Sequence, residues 1–98
     1  MKYNKLVRDK IPEMLDSKNI SYEKRIANEE EYKIELIKKL KEEAEEFQTG
    51  DIEELADVLE VILALKELPE YKNVEEIREK KYMERGGFVK RIILKGEK

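Results

Sequence analysis

The sequence contains no cysteine, no histidine and no tryptophan among its 98 residues. The first two absences exclude disulfides, thiolate metal sites, cysteine nucleophiles, imidazole bases and histidine-ligated zinc together. Any catalysis must therefore run on carboxylates, Lys, Arg, Tyr or a bound metal. Long apolar runs are also missing. The best of them, Val58 to Leu65, is eight residues long and broken by Glu60, whereas a helix needs about 20 apolar residues to cross a bilayer. With no recognisable signal peptide, the expectation is a cytoplasmic protein that engages no membrane. Charge of one sign is scarce too: 21 basic residues stand against 24 acidic ones, a net of −3, which argues against a surface for nucleic-acid polymers.

What is present is 40% apolar and 46% charged residues, enough for one small domain over residues 1–98. A domain of this size buries a modest share of its surface, so a partner copy is expected to complete the core, with a homodimer as the first expectation.

Capping signals and periodicity predict an all-α chain of four helices with a short extended tail. After an opening segment, Met1 to Val7, a short helix takes Pro12 in its first turn and ends near Ser17 to Asn19. Tyr22 to Ile26 reads as a connector or a short extended piece. Asn28 with Glu31 resembles a capping box, and Tyr32, Leu36, Ile37, Leu40, Ala44 and Phe47 keep helical spacing up to Thr49 and Gly50. Asp51 with Glu54 repeats the start signal for a second long helix, Ile52 to Leu68, stopped by Pro69. The tight turn at Gly50 makes these two an antiparallel hairpin. Asn73 with Glu76 opens a last helix that Gly86 and Gly87 stop, and Phe88 to Leu94 is β-prone enough for a short strand, pairing with the N-terminal segment or a second subunit.

Five acids decide the functional expectation: Glu42, Glu43 and Glu46 on the first long helix, Glu54 and Asp57 on the second. At about 100° per residue, with Leu40 as the centre of the apolar face, Glu43 lies roughly 60° away and borders the core. On the second helix the apolar arc from Val61 to Ala56 spans roughly 220°, and Glu54 falls inside it. An ionised carboxylate there has no Lys or Arg one turn away to offset its desolvation. A chain with 20 glutamates places some at every helical spacing, and a charge run is ordinarily a solvated face. The position of Glu54 inside the apolar arc, with Asp57 about one step beyond it, favours an oxygen-rich site for a hard cation such as Mg²⁺.

The strings E-E-A-E-E at Glu42 to Glu46 and E-L-A-D at Glu54 to Asp57 resemble the E-E-x-x-E and E-x-x-D signature of the MazG-like, all-α nucleoside triphosphate pyrophosphohydrolases. Tyr3 to Glu13 (Y-N-K-L-V-R-D-K-I-P-E), Leu55 to Ile62 (L-A-D-V-L-E-V-I) and Lys81 to Phe88 (K-Y-M-E-R-G-G-F) are similar to the small, phosphoribosyl-ATP pyrophosphohydrolase-like branch. The seven residues between Glu46 and Glu54 are fewer than typical members carry. The resemblance implies a four-helix, MazG-like bundle and hydrolysis of a nucleotide between its α and β phosphates. Glu43, Glu46, Glu54 and Asp57 would then hold Mg²⁺ or Mn²⁺, and Glu42 would be a ligand or the base that orients water, with Glu43 beside it. Lys5, Arg8, Lys81 and Arg85 would bind phosphates. Local alternatives stand beside these roles: a helix cap for Gly86 and Gly87, surface charge for Lys5 and Lys10, and an ion pair with Asp9 for Arg8. At the level of function the alternatives are phosphoribosyl-ATP hydrolysis in histidine synthesis and a non-catalytic helical interaction module.

Overall fold

A computed structural model describes residues 4–97; Tyr3, the first residue of the N-terminal motif, lies outside them. The described chain is all-helical: α1 (Ile11–Ser17), α2 (Glu29–Glu46), α3 (Ile52–Lys66) and α4 (Val74–Arg85), with 3₁₀ turns at Phe47–Thr49 and Pro69–Tyr71. Helix starts follow local chemistry. Pro12 stands in the first turn of α1, where its missing N–H costs nothing. The Asn28 side chain accepts the Glu31 N–H at 2.9 Å and caps α2. Glu31 does not complete a capping box, because its carboxylate is held by Arg25 through two hydrogen bonds of 2.6 and 2.5 Å. Asp51 and Asn73 stand at the N-caps of α3 and α4 without a side-chain cap bond.

Helix ends follow sterics. α2 tightens into the 3₁₀ turn and stops at Gly50, whose φ of +80° lies in the left-handed region that glycine adopts without a Cβ penalty. α3 ends at Lys66, two residues short of the expected Leu68. Leu68 precedes Pro69 and is extended, with ψ at 136°, as the proline ring forces on its neighbour.

α2 and α3 share the most extensive packing in the molecule. It centres on Leu36 and Val61, only 3% and 8% exposed, the two buried apolar residues among those described. The buried stripe of α2 runs through Tyr32, Leu36, Lys39 and Glu43, about 60° round from the expected centre at Leu40. Leu40 is only half-buried, while Ile37 and Ala44 are exposed. The apolar arc is wider than one neighbouring helix can cover, so the side that α3 takes becomes the core and the rest stays open. On α3 the covered edge carries Glu54, Asp57, Val61 and Ala64. Leu55, Leu59 and Ile62 point away from it and are exposed.

The expected strand at Phe88 to Leu94 does not form: a turn covers 88–90 and no regular structure follows. A strand needs a neighbouring edge for its N–H and C=O groups, and among the described residues none lies beside this segment. The N-terminal segment has another place, lying over the α2–α3 groove through Leu6 to Lys10. The chain is elongated, 56 × 32 × 24 Å, with a radius of gyration of 17.9 Å. A compact chain of this length has about 13 Å.

Candidate metal centre

α2 and α3 each contribute acids to one end of their contact. Glu43 reaches it because it stands on the buried stripe of α2, seven residues after Leu36 and so on nearly the same face. Glu54 reaches it from the first turns of α3, seven residues before Val61. One carboxylate oxygen from each of Glu43, Glu46 and Glu54 lies within 4.8 Å of the others. Glu43 is buried, Glu54 half-buried and Glu46 exposed. The three are graded from core to solvent, which leaves one open side.

The electrostatics of this trio are strained. Glu43 Oε2 and Glu54 Oε2 are both buried without a hydrogen-bond partner, although a buried ionised oxygen normally has one. Burial pushes the Glu43 carboxyl above the usual carboxylate range, the neighbouring Glu46 carboxyl pushes it further, and Asp57 adds to the effect. Lys39 opposes the shift with its ammonium 3.5 Å from Glu43 Oε1. The same ammonium stands 3.6 Å from Glu42. Helical spacing announces Lys39, three and four residues before the two acids, but a search for ligands alone passes over it.

The remaining acids are met by the N-terminal segment. Arg8 donates to Asp57 Oδ1 at 2.7 Å, and Lys5 stands 3.6 Å from Glu42. Arg8 therefore pairs across 49 residues rather than with its neighbour Asp9. Asp57 and Glu43 both border an open groove of about 420 Å³ under this segment, which Tyr32, Lys39 and Glu60 also line. Asp57 is thus adjacent to the trio and already neutralised by a guanidinium. Lys81 and Arg85 are not brought here: they stand exposed on α4 and border no part of the groove.

The donor set fits a hard divalent cation. All candidate donors are carboxylate oxygens, two of them are buried without a partner, and the site has an open side for water and a phosphate. It offers nothing soft, so thiolate- and imidazole-preferring metals are not matched by the residues present. Comparison with family models, with curated proteins and with solved structures finds no match to this chain.

Proposed function

We propose that the chain is a metal-dependent hydrolase of phosphoric anhydrides, acting through the acidic end of the α2–α3 contact. Within that class it is a MazG-like nucleotide pyrophosphohydrolase, converting a nucleoside triphosphate or related nucleotide and water into a nucleoside monophosphate and pyrophosphate. A role in clearing the nucleotide pool follows from that chemistry, and phosphoribosyl-ATP belongs among the substrates to be tried. α2 and α3 form the antiparallel hairpin of a four-helix bundle that a second copy completes, so the working unit is a homodimer. The observation that carries this reading is the pair of unpartnered buried oxygens on Glu43 and Glu54 beside Glu46. A solvated charge run would place those oxygens in water.

Glu43, Glu46 and Glu54 would hold Mg²⁺, or Mn²⁺ in its place, and Asp57 would join them once Arg8 moves off it. A bound Mg²⁺ supplies neutralisation of the phosphate oxygens and acidification of water. The residues supply the rest. Glu42, with Lys5 and Lys39 close to it, accepts the proton that the attacking water loses at the α phosphorus. The bond to the bridging oxygen breaks and pyrophosphate leaves. Lys5 and Arg8, half-exposed and held only by solvent-facing ion pairs, are cheap to release. Arg8 can then take a phosphate through two N–H groups.

The test is pyrophosphate release from a panel of ribo- and deoxynucleoside triphosphates, modified nucleotides and phosphoribosyl-ATP, with Mg²⁺ and again with chelator. Release that requires Mg²⁺, and that Glu54→Gln lowers by on the order of 10²-fold or more, is the expected result. Silence across the panel from folded protein, or activity that survives Glu54→Gln and Asp57→Asn together, overturns the assignment.

A further inference from the structure

α3 is apolar on two opposite sides. One side, centred on Val61, is covered by α2. The other carries Ile52, Leu55, Leu59, Ile62 and Leu63, all exposed, and is centred roughly 150° round the helix from Val61. Glu53 and Glu60 occupy the sector between them, Glu54 and Asp57 lie on the covered edge, and Lys66 ends the outer side. A helix that is apolar on two sides has two faces to bury, and among the described residues only one of them has a cover.

The C-terminal segment has the complementary problem. Phe88, Val89, Ile93 and Leu94 are each 90% exposed or more, with Ile92 beside them. Five large apolar residues in seven, following a helix end at Gly86, do not stay in water by preference. Every described residue from Gly86 to Glu97 is exposed. Its charge is one-sided: Arg85, Lys90, Arg91 and Lys95 are basic, and no acid occurs from Arg85 to Gly96. The α2–α3 connection is the reverse, with eight acids and no base from Glu42 to Asp57. The two surfaces match in polarity and in charge, and within one chain they do not meet.

The surface area points to what brings them together. The chain exposes 9800 Å², where a folded monomer of 11.7 kDa exposes about 5,900 Å². The excess is of the order that obligate interfaces remove. We infer that the outer face of α3 is the interface with a second copy of this chain, and that the basic, apolar segment Phe88–Lys95 of each copy docks on the acidic α2–α3 pair of the other. This rests on the homodimeric part of the proposed function and not on its chemistry. Its consequence for the site is that the partner delivers cations to the acidic end, which among the described residues of one chain has Lys5, Arg8 and Lys39.

The absence of cysteine makes the test direct. Single substitutions Leu59→Cys, Ile93→Cys and, as an exposed reference, Lys24→Cys are made in the full chain, and thiol-reagent rates are measured alongside sedimentation velocity. The expected result is a dimer in which the introduced thiols at 59 and 93 react about tenfold or more slowly than the reference. Adding Leu59→Glu to Ile93→Cys should give a monomer in which the thiol at 93 reacts at the reference rate. Because Leu59 is half-exposed and Ile93 almost wholly exposed in the single chain, neither substitution opens the buried centre at Leu36 and Val61, and circular dichroism checks that the helices persist. A dimer with the thiol at 59 protected and that at 93 fully reactive overturns the docking of the tail while leaving the homodimer. Protection at 93 that survives in the Leu59→Glu monomer places the tail on its own chain and also overturns it. A wild-type monomer with both thiols reactive removes the interface and the homodimer together.

Discussion

Glu43 is the residue at which burial and charge conflict most directly. Its carboxyl is buried beside Glu46, with Asp57 nearby and only Lys39 opposing them, so its proton affinity in the folded chain is raised above that of the unfolded chain. The folded protein then binds more protons than the unfolded one as pH rises from about 4.5, and the cation-free protein loses stability through that window. Glu43→Gln removes the charge and keeps the shape. In thermal melts with chelator it should raise Tm at pH 7, and the gain should vanish by about pH 4, where the wild-type carboxyl is protonated in both states. Mg²⁺ should reverse the order by stabilising wild type more than Glu43→Gln, since only a ligand of the folded state raises its Tm. A Tm for Glu43→Gln below wild type at neutral pH without Mg²⁺ would show that Lys39 already satisfies the carboxylate. Helical spacing alone set Glu43 at the border of the core and Glu54 in the apolar arc, while choosing Glu43, Glu46 and Glu54 as ligands from among the five acids rested on the family resemblance. The pairing of Arg8 with Asp57 was not legible, because it depends on how residues 4–10 lie over the groove, and no periodicity encodes that path.

At the scale of elements, the chain is punctuated by side chains whose effects are local, and these were the readable ones. Asn28, Pro12 and Gly50 act through bonds and sterics within three or four residues, so the starts of α1 and α2 and the stop of α2 follow from the sequence. Where an end depends on competition, reading becomes less sharp: Glu31 has the spacing of a capping-box partner but finds a stronger one in Arg25. Asn28→Ala should destabilise the protein by about 1 kcal/mol in urea unfolding, since it leaves the Glu31 N–H without its acceptor. Asp51→Ala should cost less than half of that, because Asp51 makes no cap bond and offers only its charge to the start of α3. Equal costs at the two positions would mean that Asp51 caps α3 in solution. The missing strand at Phe88 to Leu94 belongs to this scale as well. β-propensity measures fit to a neighbouring surface, so an apolar, branched segment reads as a strand whether its neighbour is in the same chain or in another.

For the whole molecule, the same ambiguity explains why the sequence predicted a wider core than one chain builds. Apolar periodicity records which positions leave water in the working assembly, and it makes no distinction between cover from α2 and cover from a second copy. Leu36 and Val61 are covered within the chain, while Leu55, Leu59 and Ile62 carry the same signal and lie open. A protomer with two buried apolar residues among those described has little with which to offset the entropy of ordering the chain. Association should therefore add to its stability. The measurable consequence is that Tm depends on protein concentration, as it does when the folded state is a dimer and the unfolded state is not. Raising the concentration a hundredfold, from about 1 to 100 µM, should shift the midpoint upward by roughly 3 to 8 °C. A midpoint independent of concentration would mean that α2 and α3 alone sustain the fold, and the open apolar face would then need a partner of a different kind.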